Sequence, residues 1–159
     1  MVTKEEMESM SFTHEMEIMP RKGIMQVTKK EMGDFDRQIA ELRLDIARII
    51  DEYAQEHNIK PKYDGMEELT HLSAAQIKQM MNGRTNITRT SLYKLAVGLK
   101  MSVEEANEKL FKKFNGELRS NCREDFICIK ALEDEDDVSS FIREYNTYTK
   151  GNKLKDPLA

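Results

Sequence analysis

Residues 68–103 read ELTHLSAAQIKQMMNGRTNITRTSLYKLAVGLKMSV, and this stretch decides the fold. Ile77 and Met80 stand three apart after Ser73, Met81 follows, and Asn82-Gly83 closes the run. A serine hydroxyl can accept from a free first-turn amide, and glycine enters the left-handed conformation that ends a helix. The pair brackets a helix of about ten residues. Further on, Leu92, Leu95, Ala96 and Leu99 recur at i, i+3, i+4 and i+7, the stripe of a second amphipathic helix that Thr88 or Thr90 can cap. Upstream, Met66 and Leu69 mark a helix of about two turns, with Asp64 and Glu67 at capping-box spacing. Only Thr70-His71-Leu72 separates it from Ser73.

Two short helices joined by a three- or four-residue turn are written as a helix-turn-helix. The stretch resembles the lambda-repressor-like (Cro and phage-repressor type) DNA-binding domains over residues 34–112. The resemblance rests on Leu72-Ser73, on Ile77 and Met80, on the loop Asn82-Gly83-Arg84-Thr85-Asn86, and on Leu92, Leu95, Ala96, Leu99 and Met101. The chain departs from that pattern at Glu67, where the family has a small residue, and at His71, where it has a glycine. His71 must therefore enter the left-handed region itself, and Glu67 must tilt outward or find a partner.

The resemblance implies a mainly α fold, a five-helix domain over residues 34–116 whose helix 74–82 enters the DNA major groove. It directs Ala74, Ala75, Gln76, Lys78, Gln79 and Asn82 outward, with Ala74, Ala75 and Gln79 closest to the bases. Alanine offers only contact with a thymine methyl, whereas glutamine can pair with adenine, so Gln76 and Gln79 are expected to carry the direct readout. Ser73, Lys78, Asn82, Arg84, Thr85, Asn86 and Arg89 are then expected at phosphates, with Tyr63 or Lys62 adding another contact. The competing reading is a solvated helix face, or a domain of this fold kept for protein interaction.

Charge favours the first reading. The chain holds 25 basic and 29 acidic residues, a net charge of −4. Residues 60–120 nevertheless hold 11 Lys and Arg against 7 Asp and Glu, while both flanks are acidic. Positive charge thus gathers on the segment assigned to DNA, as expected of a local phosphate-binding patch.

Around this unit the sequence places further elements. Phe35, Ile39, Leu42, Ile46, Ile49 and Tyr53 alternate steps of four and three, a heptad seam on a long helix from Asp34 to about His57 that Asp34 can cap. Its later positions are expected to pack on the domain, and Phe35 to Leu42 either to do the same or to join a dimer interface. Ser102 and Glu105 form a capping box opening a helix that ends near Asn115-Gly116. Residues 1–33 carry seven of the eleven methionines and are expected as a flexible arm that can serve partner contact, with one short strand at 23–27 as an option.

Residues 117–159 read as a small extension. Phe126–Leu132 is short enough to be strand or helix, and the acidic run Asp134–Asp137 caps a helix bearing Val138, Phe141, Ile142 and Tyr145. Such a unit must pack on the helical domain, on a second copy or on another protein. Phe126, Ile127, Ile129, Phe141, Ile142 and Tyr145 are the candidate partner-binding residues, and an acidic unit with exposed aromatics would suit a basic partner such as a toxin.

At 159 residues, with no long apolar run and no apolar leader, the chain is expected in the cytoplasm and outside membranes. Cys122 and Cys128 are expected as free thiols, with no metal site, cofactor or disulfide framework. With no phosphate loop and no catalytic constellation, it is not expected to be an enzyme. The reading is a sequence-specific transcriptional regulator, dimeric on an inverted repeat. The alternative is an antitoxin that autoregulates its operon and neutralises a toxin through its C-terminal extension.

Overall fold

A computed structural model describes residues 1–10, 12, 29–150, 153, 154 and 156; the strand option at 23–27 lies outside them. The described residues form a mainly helical fold with no strand: α1 Lys4–Ser9, α2 Lys29–Glu56, α3 Lys62–Thr70, α4 Ala74–Met81, α5 Arg89–Gly98, α6 Val103–Lys109, a 3₁₀ turn Phe111–Lys113, α7 Arg123–Glu133 and α8 Val138–Tyr148. None of these helices is long and apolar enough to cross a membrane.

Local chemistry explains most helix starts. Ser73, Thr88, Ser102 and Asp137 each accept a first-turn amide with the side chain, and Thr88 and Ser91 do so reciprocally. The capping box expected at Asp64 and Glu67 is absent, since α3 starts after Pro61 with no side-chain cap. His71 ends α3 at φ 56°, the left-handed conformation its position required.

α2 is the long first helix. It begins ahead of Asp34, which is therefore not its cap and pairs instead with Arg37 at 3.6 Å. Leu42, Ile46, Ile50 and Ala54 are buried, whereas Phe35 stays 50 % exposed. α5 is the centre of the molecule, with every residue from Ser91 to Leu99 buried and α3, α7 and α8 packed around it. Gly98 makes the α3 contact possible. A Cβ there would sit 2.5 Å from the Leu69 carbonyl oxygen and 2.8 Å from the Thr70 Cα, closer than a side chain can come to backbone.

The stretch left open between strand and helix is α7. Ile127, Cys128, Ala131 and Leu132 are all buried on one helical face, and Asp125 reaches into the core beside them. α8 lays Val138, Phe141, Ile142 and Tyr145 against the same core. Tyr93 of α5 lies 6.0 Å from the Phe141 ring and 6.3 Å from that of Tyr145. One hydrophobic cluster thus runs from Leu42 to Tyr145, without a break at residue 116. The N-terminal residues add to it, with Val2 buried and its amide donating to Glu144 Oε2 at 3.2 Å.

This packing corrects the expectation of an exposed partner face. Ile127, Phe141, Ile142 and Tyr145 are at most 4 % exposed and belong to the chain's own core. Phe126 is half-buried, 5.7 Å from the Phe12 ring, and Ile129 packs half-buried on the cluster. Burying such side chains is worth about 1.5–3 kcal/mol each, which is why they face inward.

Candidate nucleic-acid interface

α4 is short, and its surroundings hold it in place. Ile77 and Met80 are its buried residues, as their spacing predicted. Ser73 Oγ accepts from Gln76 N at 3.1 Å at its start. Glu67, the residue out of place for the resembled pattern, finds its partner here, Oε2 accepting from Ala74 N at 3.4 Å. A carboxylate at the positive end of a helix is favourable, so the departure is accommodated by the α4 N-terminus.

The far end of α4 is held from α2. Arg43 donates through Nη1 to the Met80 carbonyl and, at 3.2 Å, to the Thr85 carbonyl. Beyond Asn82 the chain turns through Gly83 at φ 84°, and Asn82 Oδ1 accepts from Arg84 N at 3.0 Å. Helix carbonyls that would be orphaned are thereby covered, and loop 82–86 has a fixed course.

On this support Ala75, Gln76, Lys78, Gln79, Asn82, Arg84 and Asn86 are exposed, while Tyr63, Ser73 and Ala74 are half-buried beside them. Lys78 Nζ lies 5.0 Å from the Tyr63 ring centroid, and Lys62 Nζ 4.9 Å from it on a neighbouring approach. Lys62 is also held by Asp51 at 2.6 Å, so part of its charge is answered within the chain. The set combines amide groups able to donate and accept with two solvent-facing cations, Lys78 and Arg84.

Two residues expected among the phosphate contacts are turned elsewhere. Thr85 is half-buried, and its hydroxyl oxygen is closed off from solvent. Arg89 is a clearer correction. Its side chain is 4 % exposed and forks onto Asp125, Nε to Oδ1 at 2.9 Å and Nη2 to Oδ2 at 2.8 Å. It donates further to the carbonyls of Phe114, Gly116 and Glu117. Burial disfavours the charged guanidinium, but the hydrogen bonds and charge of Asp125 outweigh it and hold the pKa above the ordinary arginine value. Arg89 is an internal cation and cannot reach a phosphate.

Sequence reasoning missed Arg43. Its one signal was a cation beside Leu42 on the inward side of α2, a position that asks for an acceptor within the chain. Cys122 and Cys128 are free and buried. Burial pushes the Cys122 thiol up to about 11 and that of Cys128 well above its ordinary value, so neither is poised as a nucleophile. No group of three or more His, Cys, Asp or Glu among the described residues is placed to hold a metal ion. No family model, no curated protein and no solved structure matches the chain.

Proposed function

We propose that the chain is a sequence-specific, double-stranded DNA-binding transcriptional regulator that reads its operator through α4. One observation carries the reading. The helix after the three-residue turn 71–73 buries only Ile77 and Met80 and presents Ala75, Gln76, Lys78 and Gln79 outward, continuous with exposed Asn82, Arg84 and Asn86. Gln76 and Gln79 suit adenine edges, Ala75 a thymine methyl, and Lys78 and Arg84 the flanking phosphates. Two copies on an inverted repeat would set their reading helices about 34 Å apart, one DNA turn.

The antitoxin alternative relied on an acidic unit with exposed aromatics in the C-terminal segment; Phe141, Ile142 and Tyr145 are buried in the chain's own core, so no observation favours it over the DNA reading. The test of the DNA reading is titration of the purified protein against the DNA upstream of its own gene, at two salt concentrations, beside the Gln79→Ala/Arg84→Ala variant. Site-specific binding that weakens with salt and is lost in the variant supports the proposal. Equal affinity for that fragment and for random DNA overturns it.

A further inference from the structure

Lys153, Leu154 and Asp156 lie back across the molecule, and Asp156 reaches the turn that carries α4. Asn146 of α8 grips Leu154 twice, Nδ2 donating to its carbonyl at 3.0 Å and Oδ1 accepting its amide at 2.7 Å. Lys153 Nζ donates to the carbonyls of Asn146, at 2.5 Å, and Thr149, at 2.9 Å, near the negative end of α8. Leu154 packs half-buried against the core. Two residues on, Asp156 Oδ1 accepts from His71 Nδ1 at 2.6 Å, with the side chains only 15 % and 12 % exposed.

His71 is a sensitive point to hold. It sits at φ 56°, the left-handed C-cap of α3 and first residue of the turn, where a non-glycine residue needs support from its surroundings. From below, Lys94 Nζ lies 3.5 Å from the His71 carbonyl. Lys94 is 7 % exposed; burial lowers its pKa, and the charge of Asp156 acts in the opposite direction. The Asp156 carboxylate therefore bonds the His71 ring while its charge acts on Lys94, whose ammonium reaches the carbonyl of that same residue.

We propose that Lys153, Leu154 and Asp156 form a latch that fixes turn 71–73 and, through it, the pose of α4, so that whatever draws these residues away loosens the reading helix. The effect on DNA rests on the function proposed above, whereas the effect on the turn does not. The latch connects two parts of the chain 85 residues apart in sequence. Among the described residues it is held by the His71–Asp156 hydrogen bond, the Asn146 and Lys153 bonds and the half-buried Leu154, contacts outside the packed helices of the kind that open locally while the core stays closed.

The test is amide hydrogen exchange on the full chain and on Asp156→Asn and Lys153→Ala, with DNA affinity measured on the same samples. Asp156→Asn removes the charge and keeps the shape; Lys153→Ala loosens the segment and leaves the carboxylate. Both variants are expected to speed exchange at the amides of residues 71–76 by about tenfold, with amides of α7 unchanged, and to weaken DNA binding by a similar factor. Unchanged exchange at 71–76, or acceleration spread evenly over α7 as well, overturns the latch. Faster exchange at 71–76 in a protein that binds no DNA leaves the latch standing and removes the function proposed for α4.

Discussion

Arg89 was expected at a DNA phosphate and lies instead in the core, which makes it the sharpest place to test the fold. Removing Asp125 leaves a guanidinium 4 % exposed with no carboxylate, and leaves the Tyr93 hydroxyl and the Arg119 amide without that acceptor. Removing Arg89 takes the donor from three backbone carbonyls and leaves the carboxylate buried among fewer partners. Breaking a buried pair on one side costs about 3–5 kcal/mol, a large share of the 5–15 kcal/mol typical of a folded domain. Asp125→Leu and Arg89→Met should each show that loss in urea unfolding of the full chain. Replacing both, as Arg89→Met/Asp125→Leu, removes both charges at once. Its remaining costs are already present in the single variants: the three carbonyls, two of them on exposed residues that water can reach, and the Tyr93 hydroxyl and Arg119 amide that bonded Asp125. The double variant should thus be no worse than the poorer single one, giving a coupling energy of at least about 2 kcal/mol. Losses that add to within about 0.5 kcal/mol would refute the pair as described. The same variants separate Arg89 from Arg84. Arg84→Ala should leave stability within about 0.5 kcal/mol, weaken DNA binding and lower the salt slope by about one. Arg89→Met should leave that slope unchanged.

Three further outcomes follow from single contacts. Gly98→Ala forces a Cβ against the backbone of Leu69 and Thr70 and should lower stability by about 1–3 kcal/mol in thermal or urea unfolding. Ser73→Ala removes the α4 cap and should cost about 1 kcal/mol, with faster exchange confined to the first turn of α4, as hydrogen exchange would record. Glu144 is a case of pH dependence: burial raises its pKa, the Val2 amide opposes this, the Asp136 and Asp134 charges add to it, and the Met1 ammonium opposes it. A carboxyl whose folded pKa is raised costs stability when ionised, and that cost disappears as pH falls below the unfolded value of about 4.3. Glu144→Gln should therefore melt higher than the parent at pH 7 and no higher at pH 4, read by thermal denaturation across that range.

What the sequence disclosed was local. A cap acts within three residues of the helix it starts, so Ser73, Thr88, Ser102 and Asp137 were all readable from their own neighbourhoods. So was the left-handed His71, demanded by a three-residue turn without a glycine. The long helix was readable as a helix, and Ile39, Ile49 and Tyr53 of its seam do pack half-buried on the core, but the seam left out Ile50 and Ala54 of the fully buried row. A strict heptad keeps Ile49 and Tyr53 in register with Leu42, whereas a row stepping by four brings Ile50 and Ala54 round to the core. The helix expected over 103–115 breaks at Leu110 into the 3₁₀ turn 111–113. Phe111 within the turn and Phe114, its extended C-cap, are both buried. Pairings remote in sequence left no trace. Arg89 looked like any surface cation because Asp125 stands 36 positions away, and Phe141 and Tyr145 looked like a partner face because their partner is Tyr93 of the same chain.

The supports of α4 explain how a helix of eight residues can keep a fixed face toward solvent. Alone it would be marginal, since isolated helices need about 12–15 residues before propagation offsets nucleation. Here Glu67 of α3 holds its first turn, Arg43 of α2 holds its last, and Ile77 and Met80 are buried beneath. None of these groups comes from α7 or α8, which pack on α5 on the other side of the core. Among the described residues the C-terminal helices bear on α4 through α5 and its close contact with α3 at Gly98, and through Asp156 at His71. The first route belongs to the packed core and opens only when the whole fold does. The second crosses the surface and can open by itself, so any control exerted from the C-terminal part of the chain upon α4 has its least costly path through His71.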